Sequence, residues 1–338
     1  MTEKLSNKIS NGTFLCTCLI VMHHIPHDFE SWGGLGRLWL VVLVAVPFFF
    51  CVSGFLLAGH CGEQGWWVRA IRSRVKTLLI PYVIVNAIHL PIAWIYHGIR
   101  SLSLVDFLSA FGLVIPQNPA CGQLWYVRML MVLILLSPFF AWVIRLGKLA
   151  AVLFVGFLFT SGIVFPLIAA PFDPQVFNAS MFFKDEVFGF RGLSYFCLGM
   201  VLRVYGLPRI DWRVACPSIV LGVIFLCCRA EVNQFGPLRY NIGMSVGPLF
   251  MIVGLWWGCP SVPWPKWLTS SSFAVYCFHM LVISGECLVA ERLHCATWLV
   301  TPIGFIFCLV TPVVLCCWVY NVLRVHAPRV SALIFGGR

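Results

Sequence analysis

Charge is what this chain lacks. Only 12 of its 338 residues are acidic and 23 are basic, so 10% are charged, against about 25% in a typical soluble protein. That scarcity, with a mean hydropathy of +0.93, excludes an ordinary water-soluble domain. It also excludes a disordered chain, which would be poor in hydrophobic and aromatic residues. Low-complexity tracts are absent, and no internal repeat is visible, which argues against a solenoid. The 16 cysteines include no CxxC pair with metal-type partners, so no metal site is expected. A cleavable signal is missing as well. Lys4 and Lys8 precede an apolar stretch, but the chain then runs His23-His24-Ile25-Pro26-His27 instead of through a small-residue cleavage site. The stretch reads as a retained first span.

Apolar residues make up 60% of the chain. Stretches near the ~20-residue spanning length recur at about 9–29, 38–59, 77–96, 123–144, 149–170, 188–205, 213–229, 242–258, 270–290 and 297–320. The sixth to eighth are short and contain Gly or Pro. This pattern predicts one all-α domain over 1–338, a polytopic integral membrane bundle of about ten transmembrane helices. The net charge of +11 is dispersed over short loops, so it implies no nucleic-acid partner and serves topology instead. With both termini inside, the inner segments carry 15 of the 23 basic residues, and the outer side carries nine of the 12 acids. That asymmetry is the positive-inside rule, and it predicts cytoplasmic termini with the lipid bilayer as partner. Most cysteines lie within apolar runs, where they behave as small hydrophobes. Cys121 and Cys295 both fall on the outer side, where a disulfide is allowed.

Polar groups inside apolar spans are expensive, so they mark candidate sites. His23 and His24 sit in the outer third of the first stretch and diverge by about 100° on a helix; a general base and an interfacial histidine are both open readings. Ser272, Tyr276, His279, Ile283 and Glu286 recur at spacings of four, three, four and three, which places them on one helix face. Such a stripe lines a polar cavity or forms an interhelical hydrogen-bond network. The inner cluster Arg69, Arg72, Arg74 and Lys76 suits phosphate recognition, or equally anionic lipid. Ser53 and Gly54 permit close helix approach. The outer loops 97–122 and 171–187, the second carrying Asp173, Asp185 and Glu186, are either ordinary solvated loops or part of a polar-ligand surface.

Together the motifs resemble the acyltransferase-3 family of multipass bacterial O-acyltransferases. The resemblance rests on Cys18–His24, on Val46-Pro47-Phe48-Phe49-Phe50 with Ser53-Gly54-Phe55, and on Arg74 followed by Leu78-Leu79-Ile80-Pro81-Tyr82. Leu124-Trp125-Tyr126, Tyr195–Met200 and Tyr276-Cys277-Phe278-His279 complete it. It implies transfer of an acyl group, often acetyl, from cytoplasmic acyl-coenzyme A to a hydroxyl of a surface glycan or glycolipid, in the bacterial cytoplasmic membrane. No cofactor is implied beyond acyl-coenzyme A as co-substrate. His24 matches the family's first-span histidine and Arg74 its inner-side arginine. The arginine usually found eleven residues before the histidine is Thr13 here. On this basis His24, His279 and Tyr276 are the catalytic candidates. Arg69, Arg72, Arg74 and Lys76 are expected to bind the donor, and Ser272, Glu286 and Trp125 to line the cavity. Two alternatives are a proton-coupled secondary transporter of a small polar or anionic solute, relaying through His24, His279 and Glu286, and a membrane structural protein.

Overall fold

The computed structural model describes residues 1–26, 40–97, 111, 120–169, 191–208, 210–228 and 232–337. The described residues form helices and turns, with no strands. The principal helices are α1 (Glu3–His24), α2 (Ala45–Ala58), α3 (Trp66–Arg74), α4 (Ile80–His97), α5 (Trp125–Arg145), α6 (Lys148–Ala169), α7 (Arg191–Tyr205), α8 (Trp212–Cys228), α9 (Val232–Gly258), α10 (Ser272–Arg292), α11 (Pro302–His326) and α12 (Pro328–Phe335). Each of the ten expected apolar stretches falls on one of these helices. Among the described residues, four helices are long and apolar enough to cross a membrane: Leu40–Ala58, Gly122–Arg145, Ser272–Arg292 and Pro302–His326. Most of both expected outer loops lies outside the described residues.

Three local features depart from the expected spans. The first stretch does not run to residue 29 as helix. α1 stops at His24, and Ile25 is extended at φ −70°, ψ 133°, because the ring of Pro26 disfavours the helical region for the residue before it. The segment 60–76, which reads as an inner loop between the second and third apolar stretches, is largely helical. α3 runs into a π-helical turn at Val75–Leu79 and on into α4. Cys121 and Cys295 are free thiols, and Cys121 is buried against the carbonyl of Cys277 (3.7 Å).

Prolines inside the spans leave carbonyls for other donors. Pro138 in α5 has no N–H to offer Ile134, four residues earlier. The released Ile134 carbonyl accepts the Ser137 hydroxyl at 2.6 Å and the Trp67 indole N–H at 3.3 Å. α3 is thereby tied to α5. At the core, α2 and α7 pack backbone to backbone. A Cβ added to Gly54 would sit 1.9 Å from the Phe196 carbonyl oxygen, and one added to Gly199 would sit 1.9 Å from that of Cys51. This is the close approach that small residues make possible in lipid, where no hydrophobic force draws helices together.

The N-terminal half of α1 is clipped to the segment after α9. Asn11, fully buried, donates to the carbonyls of Pro260 (3.0 Å) and Val262 (2.8 Å) and accepts from the Trp264 N–H (3.3 Å). Lys8 caps the Trp257 carbonyl at 2.7 Å. Asn11 makes three hydrogen bonds in a setting where an unsatisfied amide is costly, and these set the height of α1 and so of its last residue.

Candidate active site

His24 arrives at the site as the last residue of α1, and His279 arrives two turns into α10. The two rings meet, with His279 Nε2 lying 3.2 Å from His24 Nδ1 across 255 residues of sequence. Ring centroids are 5.0 Å apart. Each ring is also tied to its own helix, His24 Nδ1 to the Ile20 carbonyl at 2.9 Å and His279 Nδ1 to the Val275 carbonyl at 2.9 Å. A carbonyl can only accept, so Nδ1 carries the proton in both rings. In the neutral state His279 Nε2 is therefore a lone pair facing the His24 Nδ1–H, which is shared between Ile20 and His279. The His24 Nε2 lone pair is left to face a substrate. His279 is fully buried, His24 half-buried and His23 exposed. His23 packs edge-on against His24 at 5.1 Å.

Below the pair lies a cavity of about 400 Å³, within the range of small-molecule sites. Its walls are mostly apolar, with Phe49, Leu57, Leu130 and Phe273 among them. Its polar groups are the hydroxyls of Ser10, Thr13, Thr17, Ser53, Thr269, Ser270, Ser272, Tyr126 and Tyr276, with one cation, Arg74, among the described lining residues. Thr17 lies seven residues before His24, roughly 10 Å along the axis at 1.5 Å per residue. Tyr276 lies one turn before His279. The cavity therefore climbs α1 and α10 toward the imidazoles. The Tyr276 hydroxyl donates to the Gln123 carbonyl, and Gln123 in turn donates to the Cys277 carbonyl at 3.2 Å. Ser53 and Tyr126 share a hydrogen bond of 3.1 Å.

The structure joins His24 to His279 and places Tyr276, Ser272 and Arg74 in the cavity lining, of which neither imidazole is part; the other candidates lie elsewhere. Arg72 and Lys76 are exposed. Arg69 is also exposed and is committed to Glu63 at 2.6 Å and the Gln64 carbonyl at 2.7 Å. Hydrogen bonds from His60 and Arg69 hold the Glu63 carboxyl below its ordinary range, so that pair persists at neutral pH. Trp125 stands outside the cavity lining while its neighbour Tyr126 is part of it. Glu286 is likewise outside the lining and sits beside Cys308 and Thr311 of α11. Asp173, Asp185 and Glu186 lie outside the described residues. Tyr126, Thr17 and Gln123 went unselected in the sequence because hydroxyls and amides are common in spans. His89, an ionisable group in the span 77–96, had the same signal as His279 and was passed over.

Fold and site define a membrane-embedded helical protein built around a paired imidazole and an arginine-bearing cavity. The chain belongs to the acyltransferase-3 family: the family model, described as an acyltransferase domain, matches residues 14–322, nearly its whole length. It is a membrane acyltransferase. Neither a curated relative nor a solved structure matches the chain. Thr13, where the family usually carries arginine, lines the same cavity as Arg74, so Arg74 is left as the one cation among the lining residues.

Proposed function

We propose that this acyltransferase moves an acyl group, acetyl in the simplest case, from cytoplasmic acyl-coenzyme A to a hydroxyl of a surface glycan or glycolipid. The observation that carries this reading is the contact between His24 and His279 above a cavity that holds Arg74 as the one cation among its described lining residues. The donor's phosphates meet Arg74 at the inner end, and its thiol arm lies along the cavity toward the imidazoles. His24 Nε2 takes the proton of the acceptor hydroxyl as its oxygen attacks the thioester carbonyl. The tetrahedral intermediate then collapses, the C–S bond breaks, and the coenzyme A thiolate leaves and recovers the proton from the imidazolium. His279 is a positioning residue. Its Nε2 lone pair holds the His24 tautomer and stabilises the imidazolium, the part played by the carboxylate in a serine-hydrolase triad. Comparison of surface glycans from cells with and without the protein tests the reaction. Mass spectrometry should show a difference of one acyl group, and identical glycans would reject it.

Ten spans, an inner-membrane location and cytoplasmic termini belong to the same proposal, supported by the 15-to-8 division of basic residues. Impermeant thiol labelling from outside should miss a cysteine placed at Gln64 and reach one placed at Gln175. The reverse pattern would invert the orientation and remove Arg74 from the donor's side.

Arg74→Ala should raise the Michaelis constant for acyl-coenzyme A by roughly 10-fold or more, since hydrogen bonds to charged groups contribute about 1.5–3 kcal/mol, while Arg72→Ala changes it little. Arg74→Lys should recover part of the loss, because an ammonium keeps the charge but lacks the planar fork. Titration of labelled donor against purified variants measures this. An unchanged constant in Arg74→Ala would exclude a phosphate contact.

A further inference from the structure

We infer that His89 is a third imidazole of the site and that its Nε2 receives a hydroxyl hydrogen of the acceptor. This rests on the acyl-transfer reading above and extends it to acceptor recognition. His89 lies on α4 and is 4% exposed. Its Nδ1 lies 2.8 Å from the Val85 carbonyl, so that nitrogen carries the proton and Nε2 of the neutral ring is an acceptor. Among the described residues Nε2 has no hydrogen-bond partner. Buried acceptors in folded proteins are nearly always satisfied, so an orphan beside an active site points to a group that arrives with the ligand.

The anchoring repeats that of the other two imidazoles, each tied through Nδ1 to the carbonyl four residues earlier. His279 Nε2 is taken up by His24. The imidazole lone pairs left over are those of His24 and His89. His89 stacks on Phe278 at 5.9 Å, with 29° between the rings, and lies within electrostatic range of His279. On the same face of α4, Tyr82 donates to the Phe111 carbonyl at 2.7 Å, one turn before Asn86. Asn86 Oδ1 accepts from the Cys121 N–H at 3.1 Å, and the thiol of Cys121 and the amide of Gln123 both reach the Cys277 carbonyl. The three imidazoles are not a metal site, since no group of three such side chains among the described residues is close enough to hold an ion.

Nε2 can only accept, so its partner must donate. Two substrate groups qualify: a glycan hydroxyl and an amide N–H of the donor's pantetheine arm. The geometry favours the hydroxyl. Among the described residues the donor cavity takes Arg74 and Leu78 from the α3–α4 segment and nothing further along α4, so His89, like His24 and His279, stands outside the cavity that holds the donor. With His24 as base, His89 holds the acceptor by another of its hydroxyls and orients the one that reacts.

The test uses purified full-length protein, labelled acetyl-coenzyme A, and as acceptor the glycan–lipid fraction of the cells that make the protein, titrated by sugar content. His89→Phe keeps the ring against Phe278 and removes the acceptor nitrogen. His89→Leu is made alongside it so that one poorly folding variant does not decide the outcome. Both should raise the acceptor's Michaelis constant about 5–10-fold, the size of one neutral hydrogen bond. Donor affinity and the slow hydrolysis of acetyl-coenzyme A without acceptor should stay unchanged. His89→Gln, whose amide oxygen accepts, should restore part of the affinity. An unchanged acceptor constant in the folded variants overturns the inference. A raised donor constant overturns it too, and assigns Nε2 to the pantetheine amide. Failure of the wild-type protein to transfer label at all would reject the acyl-transfer reading itself, which separates the two failures.

Discussion

His24→Ala should lose on the order of 10²–10⁴ in turnover, the usual contribution of a general base, while His23→Ala should lose little. The two residues are neighbours in sequence and both are imidazoles, so composition and helix position cannot separate them. Their surroundings do. Only His24 has its Nδ1 against His279 Nε2, at 3.2 Å, and its tautomer, set by the Ile20 carbonyl, leaves Nε2 able to take a proton. His23 is exposed and meets His24 edge to face. Both variants should still insert, because removing a polar group from the end of a span does not oppose insertion. The assay uses labelled acyl-coenzyme A and the native acceptor with monodisperse protein. A dead His23→Ala beside an active His24→Ala would put the register of α1 one residue out. Full activity in both would move the base elsewhere, with His279 next in line.

Gly199→Ala and Gly156→Ala make the same chemical change in two helices, and opposite outcomes are expected. In α7 the new methyl would lie 1.9 Å from the Cys51 carbonyl oxygen and 2.9 Å from the Phe55 nitrogen. Both atoms are backbone, so no rotamer change relieves the clash and α2 must move away from α7. The cost should reach or exceed about 3 kcal/mol, the upper range for overpacking, and most of the protein should be lost as aggregate. Gly54→Ala, which meets the Phe196 carbonyl from the other side, should behave likewise. Gly156 in α6 is exposed with nothing within 4 Å of an added Cβ. There alanine should be neutral or stabilising by up to ~1 kcal/mol through its better helix propensity. Thermal unfolding in detergent, read by size-exclusion recovery, compares the three. Equal midpoints for Gly199→Ala and Gly156→Ala would show that the α2–α7 contact is looser than this.

Much of the architecture was legible because lipid imposes a simple rule. A backbone without water must satisfy itself, so apolar stretches of spanning length become helices; each of the ten stretches overlaps a helix, and four helices among the described residues are long and apolar enough to cross a membrane. The ends were less legible. Pro26 carried the signal that stopped α1 at His24, and it was outweighed by the apolar residues around it. The helix over 66–74 was hidden because its three cations made it read as a loop.

The sequence by itself determined the helical membrane class, the family, and the candidacy of His24, His279 and Arg74. Those follow from local facts: the cost of an imidazole in lipid, the order of the motifs, and a cation on the side rich in cations. Only the tertiary structure decided which of the candidates lie together. It joined His24 to His279, placed Arg74 but not Arg69, Arg72 or Lys76 in the cavity lining, left Trp125 and Glu286 out of it, and brought His89 beside Phe278. The physical reason is that hydrogen-bond capacity is spent by neighbours far away in the chain. Arg69 is occupied by Glu63, the Tyr276 hydroxyl by Gln123 and the lone pair of His279 by His24, and no spacing rule within a helix reveals which groups are left over for a substrate.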